Sequence, residues 1–110
     1  MKSILFICSA NKDRSKTAED FFSEQFPDLK FDSAGTNQKI CNQLGTNYIS
    51  QEQLDRADLI FVMEQKHTTA ITKLFGGRYF NKITVLHIKD LYTYGSIDLI
   101  ALLQDKIPKF

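Results

Sequence analysis

Apolar runs and amphipathic stretches alternate along the chain, and this pattern predicts strands that alternate with helices. Short runs rich in β-branched and aromatic residues predict four strands, at residues 4–8, 31–36, 59–63 and 83–88. Apolar residues at three- and four-residue steps, together with start and stop signals, predict four helices: one that ends near Pro27, one from Ser50 to about Ala57, one that stops at Gly76-Gly77, and one that begins at Ser96. Residues 37–48 are polar, rich in turn formers and aperiodic, so no regular element is predicted there.

This alternation predicts an α/β fold, a three-layer α/β/α sandwich around a four-stranded parallel sheet with right-handed crossovers. The run at residues 59–63 is continuously apolar, as expected of a central parallel strand covered on both faces. Ser50 and Gln53 have the spacing of a helix capping box. Because no linker, repeat or low-complexity tract interrupts the pattern, residues 1–110 are expected to form a single domain.

The helical periodicity also predicts where individual side chains lie. Inward-facing positions are expected at Ala18, Phe21, Phe22 and Phe26, at Ala70, Ile71, Leu74 and Phe75, and at Leu99, Ile100, Leu102 and Leu103. His67, near a helix start, is expected at the surface, and His87, inside the last strand, is expected to be partly buried. All the apolar residues find a place in the core, so the chain is expected to be a monomer.

Composition bounds the possible partners and the compartment. The formal net charge is +1, which gives no electrostatic footprint for nucleic acid or for an anionic membrane. No apolar run approaches the length that spans a bilayer, and no cleavable leader is visible. Two cysteines do not make a disulfide framework, and a reactive thiol needs a reducing environment, so the cytoplasm is the expected location. His and Cys residues are not clustered, and neither a metal nor another cofactor is expected.

The candidate chemistry lies in the loop between the first strand and the first helix. The apolar run stops at Cys8, five residues follow, and Arg14 and Ser15 open the helix. Such a loop is suited to bind an anion, because its backbone N–H groups converge and the helix N-terminus adds partial positive charge. The expected phosphate-binding residues are Ser9, Ala10, Asn11, Lys12, Asp13, Arg14 and Ser15.

Each residue type in this loop suits phosphoryl chemistry. A thiolate is the attacking form of cysteine, and a helix N-terminus and a guanidinium both stabilise the thiolate of Cys8. Arg14 presents a planar fork that can hold two phosphoryl oxygens. Ser15 can donate its hydroxyl to the sulfur, and Asn11 can brace the loop from inside. The alternative is a buried strand cysteine with an ordinary surface arginine, since Cys-x5-Arg spacing alone is a weak signal; its position between a strand and a helix strengthens it.

These residues resemble the low-molecular-weight protein tyrosine phosphatase family, in which a strand is followed by Cys-x5-Arg-Ser and then Thr-Ala-Glu. The matching segments here are Leu5-Phe6-Ile7-Cys8, Asn11, Arg14-Ser15, Thr17-Ala18-Glu19, Ser33-Ala34-Gly35-Thr36 and Ala57–Met63. The similarity is greatest to a short bacterial branch of predicted tyrosine phosphatases. The resemblance implies a phosphatase I-like sheet of order 2-1-3-4, with the loop at the switch point where ligands bind. It also implies a metal-free phosphocysteine mechanism, with Cys8 as nucleophile and Arg14 as the phosphoryl-binding group.

The chain departs from the family pattern at several positions. Ala10 and Lys16 stand where the family commonly has Gly and Pro, and Asp13 places a carboxylate beside the phosphate-binding arginine. The family carries an Asp-Pro near the C-terminus, whose Asp protonates the leaving oxygen. Ser96 stands at that position here, where it can still cap the last helix but cannot serve as an acid.

Other residues are candidates for the acid and for the substrate wall. Asp90 follows the last strand and Asp98 lies in the first turn of the last helix; Asp90 is preferred because it lies on a loop at the strand's carboxyl end. Tyr92 and Tyr94 are candidates for an aromatic wall beside a phosphotyrosine ring, with core packing as the alternative for one of them. Glu64 ends the third strand, either lining the pocket or exposed to solvent.

Three functions remain open at the level of sequence. The leading one is a phosphomonoester hydrolase that acts on a phosphotyrosine protein or a small aryl phosphate, with weak activity if the acid is lost. The second is a catalytically impaired module that binds phosphate or phosphotyrosine. The third is an arsenate reductase, which requires Cys41 to meet Cys8. Cys41 is otherwise a resolving thiol or a lone loop cysteine, and the sequence does not show which.

Overall fold

The computed structural model describes residues 1–107 and 109–110. Its four strands are β1 (Ser3–Cys8), β2 (Lys30–Gly35), β3 (Leu59–Val62) and β4 (Ile83–Val85). They pair in parallel in the order β2-β1-β3-β4, which confirms the predicted order 2-1-3-4. The helices are α1 (Arg14–Gln25), α2 (Gln38–Leu44), α3 (Gln51–Arg56), α4 (Gln65–Phe75) and α5 (Ile97–Lys106), with a 3-10 turn at Phe80–Lys82.

Strand β1 lies inside the sheet, and its alternating side chains supply both apolar cores. Ile4, Phe6 and Cys8 face the layer of α1 and α5, where Phe22, Leu99 and Leu103 are buried. Leu5 and Ile7 face the opposite layer, which contains Leu54 of α3 and Ile71 of α4. The result is the predicted α/β/α sandwich. Cys8 pairs with Gly35 at the end of the β1–β2 ladder, so the loop after β1 begins at the carboxyl edge of the sheet.

Two local predictions about elements were wrong. Residues 37–48 contain the helix α2, which Asn37 caps by accepting a hydrogen bond from the Ile40 backbone N–H. Gly45 ends this helix in the left-handed conformation, with a φ of 71°. The last strand is also shorter than the predicted 83–88 run, because pairing stops at Val85.

Both histidines lie where they were not expected. His67 is completely buried instead of exposed. His87 is exposed instead of partly buried, and its φ of 57° places it in the left-handed region beyond the strand. A backbone in that region cannot continue a β-strand, which explains why β4 ends early.

The surface also carries more apolar side chains than predicted. Phe26 and Leu74, expected in the core, are exposed, and so are Leu91 and Ile97 beside the start of α5. Ile100 and Leu102 are only partly buried, whereas Leu99 and Leu103 are fully buried. None of the helices in the described part of the chain is long and apolar enough to cross a membrane.

Candidate active site

The loop that joins β1 to α1 is held by contacts with the end of β2 and with the segment after α2. Gly35 of β2 lies directly beneath it, where a Cβ atom would come within 2.5 Å of the Ser9 carbonyl oxygen. The Thr46 hydroxyl donates to the Ala10 carbonyl at 2.6 Å. Asn11 is buried and has a φ of 52°, a conformation that Asn tolerates better than most residues. These contacts fix a tight turn directly after Cys8.

A chain of directed hydrogen bonds ends at the sulfur of Cys8. The Asn47 backbone N–H donates to Asn11 Oδ1 at 3.1 Å, which leaves the Asn11 amide nitrogen as a donor. Asn11 Nδ2 donates to Ser15 Oγ at 2.9 Å. Ser15 Oγ lies 3.0 Å from Cys8 Sγ. Because Ser15 accepts from Asn11, its own proton is available for a hydrogen bond to the sulfur.

Arg14 is almost fully buried at the other end of the loop, with 1% of its surface exposed. Its Nη1 donates to Glu64 Oε2 at 2.6 Å and to the Ile88 carbonyl at 2.8 Å. Its Nε lies 3.7 Å from Asp90 Oδ1. Glu64 lies between β3 and α4, and Ile88 follows β4, so the segments after two neighbouring strands position this guanidinium. The hydrogen bond from Arg14 lowers the pKa of Glu64 below its usual value.

The first turn of α4 also contacts the beginning of the loop, through His67. The Glu64 backbone N–H donates to His67 Nδ1 at 3.0 Å, so the ring proton is on Nε2. His67 Nε2 lies 3.0 Å from Ser9 Oγ, and it is therefore the donor to that hydroxyl. Burial, and secondarily the Arg14 guanidinium, lower the pKa of His67 to about 4, so the ring is neutral near pH 7.

The carboxylate of Asp13 is bound by the segment that precedes α5. Its Oδ1 accepts a hydrogen bond from the Tyr94 backbone N–H at 3.0 Å. The Thr17 hydroxyl accepts from the Gly95 N–H at 3.0 Å, and the Tyr94 hydroxyl donates to Asp20. Helix α1 thus holds the segment that precedes α5. Of the two tyrosines considered for a substrate wall, Tyr94 is half exposed on this segment, whereas Tyr92 packs against the core beneath α5.

Ser96 caps α5, since its side chain accepts from the Leu99 backbone N–H at 3.4 Å. Two carboxylates remain near the carboxyl edge, and they differ in their surroundings. Asp98 is exposed in the first turn of α5, whereas Asp90 is exposed beside the Arg14 guanidinium. Of these two, Asp90 is the one that the structure places against Arg14.

Cys41 lies in α2 rather than in a loop, and it is completely buried. Its Sγ lies 3.8 Å from the Ser9 carbonyl and 3.6 Å from the Ala10 carbonyl. Both cysteines are free thiols. Cys41 therefore packs against the backbone of the loop from the side of α2.

The sequence reasoning missed the role of His67, although a signal was present. His67 precedes the buried Ile71 by four residues, so both side chains lie on the same face of α4. That spacing indicates burial, and the nearest buried surface at the helix start is the loop. No group of three or more potential metal ligands occurs among the residues that the structure describes.

Comparison with known proteins supports the resemblance that the loop motif suggested. Residues 3–47 match the model of the family described as low molecular weight phosphotyrosine protein phosphatase. No curated protein matches the chain in sequence. The matched residues comprise β1, the loop, α1, β2 and α2, but not the segments that contain Glu64, His67 and Asp90.

Three solved structures have the same fold over nearly the whole chain. The tyrosine phosphatase AmsI of Erwinia amylovora is 24% identical, with a TM-score of 0.74, and the match covers 96% of this chain and 87% of AmsI. Wzb of Escherichia coli K30, solved in complex with phosphate, is 22% identical, with a TM-score of 0.74, and the match covers 96% of this chain and 92% of Wzb. A mutant of YwlE from Bacillus subtilis is 24% identical, with a TM-score of 0.70, and the match covers 96% of this chain and 90% of YwlE.

Proposed function

We propose that this protein is a phosphomonoester hydrolase of the tyrosine phosphatase type, with Cys8 as its nucleophile. The observation that carries the proposal is the contact of Ser15 Oγ with Cys8 Sγ, 3.0 Å apart, on a loop that ends at the buried Arg14. A structural cysteine needs no hydroxyl donor aimed at its sulfur. A nucleophilic cysteine needs one, because a donor stabilises the thiolate before attack and the departing sulfur afterwards.

The reaction has two steps. The Cys8 thiolate attacks phosphorus, so that an S–P bond forms, the ester P–O bond breaks, and the leaving oxygen takes a proton from an acid. Water then attacks the phosphocysteine, the S–P bond breaks, inorganic phosphate leaves, and the acid recovers a proton from the water. Ser15 donates to the sulfur as the second step returns it to the thiolate.

Arg14 stabilises the phosphoryl group together with the backbone N–H groups of residues 9–15. Glu64 and the Ile88 carbonyl hold Nη1 of the guanidinium, which orients the group before substrate binds. A preorganised donor costs no rearrangement in the transition state. The Asp13 carboxylate, next in sequence to Arg14, is held by the Tyr94 backbone N–H.

Asp90 is our candidate for the acid, since Ser96 occupies the family position. Its carboxylate lies 3.7 Å from Arg14 Nε and is 64% exposed, so it stands beside the proposed phosphoryl site and open to solvent. Loss of a general acid costs about 10²- to 10⁴-fold for a poor leaving group and less for a good one. Asp90→Asn should therefore slow phosphotyrosine more than p-nitrophenyl phosphate, and equal rates to the parent protein on both would exclude Asp90.

The proposed substrate is a phosphotyrosine protein or a small aryl phosphate, and Tyr94 is the proposed wall for its ring. One of the structural neighbours, YwlE, is described as an arginine phosphatase, so phosphoarginine belongs among the test substrates. We propose in addition that residues 1–110 form a single domain that acts as a monomer in the cytoplasm, without a metal or another cofactor.

The test is hydrolysis of p-nitrophenyl phosphate, phosphotyrosine and phosphoarginine by the parent protein, Cys8→Ser and Cys41→Ala. We expect turnover by the parent protein, its loss in Cys8→Ser, and its retention in Cys41→Ala, which removes the other thiol. Turnover that survives Cys8→Ser would refute the mechanism. Loss of turnover in Cys41→Ala with an unchanged melting temperature would favour a two-cysteine reaction of the arsenate reductase kind.

Ser96 favours a second candidate, a domain that binds a phosphoryl group and turns it over negligibly. In that case Arg14 and the loop still bind inorganic phosphate, but no carboxyl group protonates the leaving oxygen. Binding of phosphate by calorimetry, with no hydrolysis of any of the three substrates, is the result that would select this candidate.

A further inference from the structure

Two hydrogen-bond chains run into the loop from opposite sides, and among residues 1–107 and 109–110 only the first chain ends at a protein acceptor. The first starts at the Asn47 backbone N–H and passes through Asn11 and Ser15 to the Cys8 sulfur. The second starts at the Glu64 backbone N–H and passes through His67 to the hydroxyl of Ser9. Each chain begins at a backbone donor, so the Asn11 amide and the His67 ring must each donate the next bond, to Ser15 and to Ser9.

The identity of the donor in the hydrogen bond between His67 and Ser9 decides whether the Ser9 hydroxyl proton is free to bind a ligand. His67 Nδ1 accepts from the backbone, so Nε2 carries the proton and donates it to Ser9 Oγ. With its oxygen accepting that bond, the hydroxyl keeps its own proton free for another acceptor. His67 itself does not supply a proton to the reaction, because a protonated Nδ1 would face the Glu64 N–H donor.

The position of Ser9 indicates the acceptor. Ser9 directly follows Cys8 and is only partly buried. The turn that holds it, Glu64 to His67, is the same turn that holds the Arg14 guanidinium at 2.6 Å. The hydroxyl and the guanidinium therefore lie on the same side of the loop, above the carboxyl end of β3.

We infer that the Ser9 hydroxyl donates a hydrogen bond to an oxygen of the phosphoryl group bound in the loop, and that His67 is the positioning residue for this donor. The inference rests on the proposed function and extends it, since it adds a side-chain donor to the backbone N–H groups and Arg14. No proton is transferred in this role. The Ser9 hydroxyl stabilises negative charge on the phosphoryl oxygens in the bound state and in the transition states of both steps.

Inorganic phosphate is the probe, and calorimetry measures its affinity without any need for turnover. A hydrogen bond to a charged acceptor contributes enough that Ser9→Ala should weaken phosphate binding by about ten- to a hundredfold. Ser9→Thr keeps the hydroxyl and should recover most of that loss. Ser23→Ala, in the exposed part of α1, is the matched control and should bind as the parent protein does.

His67→Gln tests the positioning role, because glutamine can neither fix nor direct the hydroxyl as the ring does. We expect weaker phosphate binding and a higher KM with a smaller change in kcat. In the double variant Ser9→Ala/His67→Gln, phosphate affinity should fall no further than in Ser9→Ala. A purely structural His67 would instead give losses that add, since its effect would not depend on the Ser9 hydroxyl.

The outcomes separate this inference from the proposed function. If Ser9→Ala binds phosphate as tightly as Ser23→Ala does, the inference is wrong, whatever the hydrolysis assay shows. If the parent protein binds phosphate but hydrolyses nothing, the hydrolase proposal fails and the affinity comparison still decides the role of Ser9.

Discussion

The burial of His67 makes a quantitative prediction about stability and pH. The ring is completely buried, and its pKa falls from the usual 6.5 to about 4. Between these values the unfolded chain binds a proton that the folded protein does not. The free energy of unfolding must therefore rise with pH across this window, and the contribution of His67 is lost as the pH falls from 6.5 towards 4.

The size of the effect follows from the two pKa values. The whole shift corresponds to roughly 3 kcal/mol, and the part that is lost between pH 7.5 and pH 5 is about 2 kcal/mol. Glu64 also makes the protein less stable as the pH falls, but its pKa lies below 4.5, so its contribution is lost at pH values below the measured range. Over pH 5 to 7.5 the slope should belong mainly to His67.

The assay is urea unfolding, followed at several pH values between 5 and 7.5, for the parent protein and two variants. His67→Gln cannot titrate and should show a nearly flat profile, whatever its absolute stability. The chain has only two histidines, and His87→Asn removes the exposed one with a residue that accepts its left-handed backbone. This control should keep the full slope. A slope that persists in His67→Gln, or a flat profile in the parent protein, would refute the reasoning.

Two further substitutions test the support of the loop. Gly35→Ala would place a Cβ atom 2.5 Å from the Ser9 carbonyl oxygen and 2.6 Å from Cys41 Sγ. We therefore expect the free energy of unfolding to fall by about 1–3 kcal/mol and hydrolysis to be slower. Gly77→Ala is the control, because the space around Gly77 is open, and it should change neither quantity. Asn11→Ala removes the bonds to Asn47 and Ser15 at a left-handed position. It should slow the alkylation of the Cys8 thiol at neutral pH, and an unchanged rate would show that Ser15 does not need Asn11 to act on the sulfur.

The sheet and the loop were predictable because their signals are contiguous in sequence. Residues 4–26 contain, in order, an apolar run, a cysteine, a polar loop and an amphipathic helix. Where one of these features ends, the next begins, so the sequence places the strand, the loop and the helix together. The sheet order needed the resemblance as well, since alternation alone does not order four strands. Ser50 also capped its helix as its spacing predicted.

The parts that were missed depend on residues far apart in sequence or on short helices. Helix α2 spans only seven residues, too few to establish a period, although Asn37 and Gly45 are ordinary start and stop residues. His67 was expected at the surface from its position near a helix start alone, whereas its four-residue spacing from the buried Ile71 indicates burial. Nothing local to Glu64 indicates that it faces Arg14, because that contact depends on how β1 and β3 pair.

The partners of the loop are widely separated from it along the chain. The bonds from the loop to Asn47, Glu64, His67 and Ile88 join residues 36, 50, 58 and 74 positions apart. The ordering of such distant pairs requires that the intervening chain has already folded. A nascent chain that has emerged only as far as β2 would contain the whole loop from Cys8 to Ser15 and yet lack Glu64, the carboxylate that Arg14 binds. Under the proposed function, catalytic competence should then arise late in folding, at the docking of β3 and the segment after β4, so hydrolysis would report the completed fold.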